Sequence, residues 1–127
     1  MSIRNKALQW YLTKYGKVDS PIYTSKYYEP EESWPKKAVW WLVIPIKAID
    51  TKKSQNVNII CQAVPNKNDF HHLKVPTKWL NENLNKFHTL NGQISLYLSA
   101  NPKRLFIEER GEGNLDFRVF LVTDTKS

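Results

Sequence analysis

Residues 38–49, reading AVWWLVIPIKAI, decide how this chain folds. They form the longest apolar run in the sequence, and Val, Ile and Trp suit a pleated, buried surface. Neighbouring side chains of a strand point to opposite faces. Trp40 and Trp41 therefore predict cover on both faces, and an inner strand around which the rest packs. Pro45 has no N–H to give, so it demands a bulge or a position facing away from the ladder.

Working outward, the next apolar segment, residues 56–64, alternates as a second strand and predicts an antiparallel hairpin with the first across the polar loop 50–55. Upstream, residues 18–37 are irregular, with Pro21, Pro30 and Pro35, the acids Glu29, Glu31 and Glu32, and the aromatics Tyr23, Tyr27, Tyr28 and Trp34. A segment this long without regular structure is uncommon in a compact domain unless it has a task. It predicts a wrap over a sheet edge, or the wall of a cleft.

Residues 3–15 predict a helix. Ser2 is the N-cap and Gly16 the C′ residue, with Ile3, Ala7, Tyr11 and Tyr15 along one stripe. A second helix is expected within 74–90, capped by Thr77, because Leu80, Leu84 and Phe87 recur at helical spacing. Residues 94–99 alternate cleanly, and 105–110 and 115–122 flank the turn signal GEGN as a last hairpin. That hairpin places Leu115, Phe117, Val119 and Leu121 on one face and sets Glu109 opposite Asp116, with Arg118 on the diagonal. Residues 123–127 are a polar tail. The expected fold is a single α+β domain over 1–127, a mainly antiparallel sheet of about five strands with two helices packed on one face.

With 127 residues and 41% apolar composition the chain is long enough to bury a core. No apolar run reaches the ~18 residues of a membrane span, and no signal peptide is evident. A single cysteine, Cys61, rules out an intrachain disulfide. These features predict a cytoplasmic protein with no membrane association and no cofactor. Cys61 reads as a small buried apolar residue.

The net charge is +7, from 19 basic and 12 acidic residues, and five tryptophans raise the aromatic content. Basic charge with aromatics is the composition of nucleic-acid binders. The excess is mostly Lys rather than Arg, which favours loose backbone contact over base readout. The expected function is a small, non-enzymatic binding module for nucleic acid. Lys36, Lys37, Lys47, Lys52 and Lys53 would contact phosphates, and Trp34 and Tyr28 would offer stacking surfaces. The alternative is a protein-interaction or accessory subunit of a larger complex or homo-oligomer.

Catalytic patterns are sparse. In NDFHHLKV, Asp69 and His71 share one side of an extended chain, and His72 and Lys74 the other. Asp69, His71 and Glu109 are the candidates for a small hydrolase, since a carboxylate beside a histidine fixes its tautomer. No set of metal ligands is complete, the remaining histidine being His88. The acid-x-Lys pattern of metal-dependent nucleases is missing at Glu108 and Glu109, which are followed two residues on by Arg110 and Gly111. Cross-strand charge pairing accounts for the acids of the last hairpin.

Overall fold

A computed structural model describes residues 2–18, 20–31, 36–65, 67, 69–111 and 113–122. Trp34, Glu32, Glu112 and the tail 123–127 lie outside the described residues. The chain is a small α+β domain, with two helices and six strands among the described residues. The strands are divided between two three-stranded sheets rather than joined in one.

The first sheet has the order β1-β3-β4 (β1 Ile22–Ser25, β3 Asn56–Gln62, β4 Phe70–Pro76), with β1 parallel and β4 antiparallel to β3. The second has the order β2-β6-β5 (β2 Val39–Pro45, β6 Gln93–Ser99, β5 His88–Leu90) and is antiparallel throughout. The expected β2–β3 hairpin does not form. After Pro45 the chain turns through a 3-10 segment, Ile46–Ile49, and β3 enters the other sheet. Nor is β2 an inner strand. Among the described residues it pairs along its length with β6 alone, and a single bridge, Tyr28 to Val39, extends its other edge. Pro45 sits at the end of the ladder, where its missing N–H costs little.

Alternation accounts for the two layers. Trp40, Leu42 and Ile44 of β2 and Ile94, Leu96 and Leu98 of β6 point inward. They meet Val57, Ile59 and Cys61 of β3 and Leu73 and Val75 of β4 in one core, closed by Leu80, Phe87, Phe106 and Phe117. Trp40 spans the layers, its Nε1 donating to the carbonyl of Gln62 at 2.8 Å.

Helix α1 (Ile3–Tyr15) keeps its expected bounds. Ser2 Oγ accepts from the Asn5 N–H, and Gly16 takes a left-handed φ of 81°. Its Ala7 and Tyr11 form a second cluster with Ile22, Ile60 and Phe70 on the outer face of the β1-β3-β4 sheet. Helix α2 (Thr77–Glu82) instead places Leu80 in the main core, so the two helices do not share a face. It is much shorter than the spacing of Leu80, Leu84 and Phe87 predicts. Asn81 and Asn83 donate from their side chains to backbone carbonyls, and Asn competes with the helix for such bonds. Residues 70–76 form strand β4 ahead of the helix, and Thr77 is the first helical residue rather than its cap.

The closing hairpin is two irregular, bridged segments. Leu98 bridges Glu108 and Ile107 bridges Asp116, and a 3-10 turn, Arg118–Phe120, follows. Phe117 is fully buried while Val119 is 75% exposed, so these two do not share a face as regular pairing predicts. Glu109 is held by Arg104 at 2.8 Å, and Asp116 by Arg118 at 2.7 Å.

Candidate nucleic-acid interface

On the outer face of the β2-β6-β5 sheet, side chains fall into rungs set by the register. Directly paired residues of an antiparallel sheet share a face. Leu90, Gln93 and Pro45 form one rung, His88, Ser95 and Val43 the next, and Tyr97 and Trp41 the third. Trp41 is 45% exposed, whereas Trp40 beside it is 1% exposed. The two indoles do point to opposite faces, but Trp41's face lacks the layer of cover that the adjacent tryptophans predict.

Polar contacts fix the rings of this face. Trp41 Nε1 donates to Ser95 Oγ at 3.2 Å, which lays the indole across the sheet toward β6. Tyr97 lies 6.4 Å from it, and Tyr28, brought alongside by the Tyr28–Val39 bridge, lies 6.3 Å away on its other flank. Two cations complete the group. The Arg110 guanidinium sits 4.8 Å from the Tyr97 ring centre and donates to Tyr97 Oη and Ser95 Oγ. Lys26 Nζ is 4.8 Å from the Tyr28 ring. Such contacts hold cations on aromatic faces.

The expected phosphate contacts are distributed around this face and beyond it. Lys36 and Lys37 precede β2, and Lys47 follows its far end, exposed in the 3-10 segment. Lys37 lines a hollow of about 450 Å³ with Tyr27, Arg104 and Glu109. Lys52 and Lys53 lie in the turn before β3, and Lys53 borders a different cleft. The structure thus groups Tyr28 with Trp41, Tyr97 and Arg110, three residues that sequence reasoning did not assign to binding. Alternation alone put Trp41 opposite Trp40. That its face is open follows from the long-range pairing of β2 with β6.

The residues considered for hydrolysis are differently placed. His71 of β4 turns inward, with its ring 5.7 Å from Trp40 and 5.3 Å from Phe106. Burial draws it below the usual histidine range, partly offset by the charge of Asp69. Asp69 is exposed just before β4, and Glu109 is engaged by Arg104. Cys61 is fully buried, and burial pushes its thiol far above the usual range, away from thiolate chemistry. Among the described residues no group of His, Cys, Asp and Glu side chains is arranged to hold a metal ion. Among the described residues no helix is long and apolar enough to cross a membrane.

His72, one residue on, points outward beneath the end of α1. Its Nε2 lies 2.8 Å from Asn58 Oδ1 and its Nδ1 3.2 Å from the Tyr15 hydroxyl. The Asn58 amide in turn donates toward the carbonyl of Pro21. The compatible arrangement is a neutral ring, with Nε2–H donating to Asn58 and Nδ1 accepting from Tyr15. Burial lowers His72 to about 4, aided by the charges of Lys14 and Lys74. The unfolded chain therefore binds this proton near pH 6.5 and the folded chain only near 4. Stability from this group is present in full above pH 6.5 and is lost as the pH falls toward 4, by at most about 3 kcal/mol. The urea midpoint should accordingly drop between about pH 7.5 and about pH 5. The drop should be clearly smaller in His72→Gln, and an equal drop in both proteins contradicts a buried neutral His72.

Comparison with known proteins returned no match, whether to a family model, a curated protein or a solved structure.

Proposed function

We propose that the protein is a non-enzymatic module that binds single-stranded nucleic acid on the outer face of the β2-β6-β5 sheet. The observation that carries this reading is Trp41, an indole left 45% exposed on a sheet surface and flanked by Tyr28, Tyr97 and Arg110. Aromatic rings on an open sheet accept bases by stacking with little dependence on sequence. Lys36 and Lys37, just before β2, and Lys47, just after it, are exposed and would supply the phosphate contacts. The net charge of +7 supplies the long-range attraction. The lone cysteine fits the cytoplasmic setting expected from the sequence.

Titrating the protein with a single-stranded oligonucleotide, followed by tryptophan fluorescence, tests the reading. Stacking contributes ~1–3 kcal/mol per base, so Trp41→Ala should weaken binding by about tenfold or more. The binding constant of the wild type should fall with salt. With about four phosphate contacts the slope of log K against log salt is about −3. Absence of binding at low salt, or equal binding by Trp41→Ala, overturns the proposal.

A second reading draws on the other end of the same face. Val43 is 36% and Leu90 62% exposed there, on the two outer strands of the sheet, and exposed apolar surface is a feature of protein contacts. A self-associating or accessory protein would bury them. Sedimentation of the wild type against Leu90→Ser distinguishes this from the first reading.

A further inference from the structure

Helix α1 covers only half of the outer face of the β1-β3-β4 sheet. Ile60 and Phe70 lie under Ala7 and Tyr11, but the helix ends at Tyr15, short of the opposite end of β3 and β4. Beyond the helix the side chains on that face are set by the register, with Lys74 exposed and Asn58 and His72 buried at the floor, 2% and 4% exposed. Asn58 pairs with Lys74 and Ile60 with His72, so Asn58, Lys74 and His72 project together. The result is a cleft of about 620 Å³ between the end of α1, the floor of β3 and β4, and the turn that carries Lys53.

Its chemistry has one sign. Lys17, Lys53 and Lys74 line it, and no carboxylate does so among the described residues. None of the three lysines has an ion-pair partner among the described residues. Asn56, Ser20 and Ser54 supply neutral donors and acceptors, while the Asn58 amide is engaged by His72 and the Pro21 carbonyl. The Tyr15 ring stands at the rim, 41% exposed, with its hydroxyl tied to His72. Three exposed lysines around one polar hollow, with no carboxylate lining it among the described residues, attract an anion. The volume lies in the range of small-molecule sites.

We propose that this cleft is a binding site for a small phosphate monoester of mononucleotide size. Lys17, Lys53 and Lys74 take the phosphate dianion, Asn56 takes a hydroxyl group, and the Tyr15 ring lies against the organic part. A doubly charged group suits three cations better than a carboxylate does, and lysine binds phosphate as a point charge. The site is separate from the aromatic face of the other sheet and does not rest on that reading.

The test is a titration of the full chain with adenosine monophosphate, inorganic phosphate and adenosine, read by NMR at the His72 ring and the Lys74 amide. Adenosine monophosphate should give saturable shifts at both positions, inorganic phosphate weaker ones, and adenosine none. Lys53→Ala and Lys74→Ala, both at exposed positions, should each weaken the monophosphate by about tenfold. Trp41→Ala should leave it unchanged, so the outcome is independent of nucleic-acid binding. Failure of any saturable shift at His72, equal binding of adenosine, or unchanged affinity in both lysine variants overturns the proposal.

Discussion

Trp40→Ala should leave the protein largely unfolded at room temperature. The indole is 1% exposed and stacks on Phe106 with ring centres 5.0 Å apart and planes inclined by 20°. Tyr27 and His71 meet it edge-on. Truncating a buried aromatic of this size costs about 3–5 kcal/mol through lost transfer energy and the cavity left behind. The Gln62 carbonyl also loses its indole donor across the two sheets, and a buried acceptor without a partner costs about 1–3 kcal/mol more. A domain of this size has ~5–15 kcal/mol in total. Circular dichroism and urea titration should show either no cooperative transition or a midpoint far below that of the wild type. Trp40→Phe keeps a ring on Phe106 and loses only the hydrogen bond and part of the volume, so it should fold with an intermediate midpoint. A Trp40→Ala protein melting within a few degrees of the wild type removes Trp40 as the joint between the layers. Trp41→Ala, one residue on, serves as the control, with stability nearly kept and binding lost.

Glu108→Ala is expected to be nearly as damaging, for an electrostatic reason. Glu108 is 1% exposed on a strand-like segment bridged to Leu98. Its Oε2 accepts from the N–H groups of Tyr97 and Arg110, each at 2.9 Å, and its Oε1 accepts from that of Gly111 at 2.7 Å. The carboxylate thus replaces ladder bonds where the closing hairpin leaves regular pairing. Removing it strands three backbone donors, at roughly 3–6 kcal/mol altogether. Glu108→Gln keeps an oxygen for part of this set but turns an amide N–H₂ toward at least one donor, so it should fall between. Gly111 beside it has a different constraint. A Cβ there runs into the Lys86 carbonyl and crowds the Phe87 Cα, both backbone atoms that cannot swing away. Gly111→Ala should therefore destabilise as well, although its backbone dihedral is one that alanine adopts. Because Glu108 also fixes the Arg110 backbone, its loss should loosen the guanidinium over Tyr97. Thermal melts of Glu108→Ala and Glu108→Gln check the ordering, and a fully stable Glu108→Ala contradicts it.

Much of the secondary structure was legible in the sequence, and much of the topology was not. Helix α1 has local signals at both ends, Ser2 and Gly16, and no distant contact is needed to read them. The alternation of Ile94, Leu96 and Leu98 likewise marks β6 with its buried side. The partner of β2 depends on contacts about fifty to sixty residues apart, which local pattern cannot supply. The shortest connection therefore suggested β3 and one sheet instead of two. Asn91–Gly92 is a turn dipeptide that specifies a two-residue hairpin, and both residues do adopt positive φ, 54° and 73°. The helical spacing of Leu80, Leu84 and Phe87 masked that signal, and with it β5. For the candidate interface, Tyr28 was legible as an aromatic in a purposeful segment. Trp41, Tyr97 and Arg110 were not, because each became part of a surface only when β2, β6 and the segment after Glu109 were brought together. The opposition of His71 and His72 followed from alternation alone. That His72 faces a lysine-lined cleft depended on where α1 stops.

The account centres on the open face of the β2-β6-β5 sheet, and amide and indole NMR shifts during titration with a short oligothymidylate test it most directly. The Trp41 indole N–H and the backbone amides of Tyr28, Ser95 and Tyr97 should move together and saturate, and the shifts should collapse when salt is raised. Shifts confined to the other sheet, or a Trp41 indole signal that stays in place while the oligonucleotide binds, contradict it.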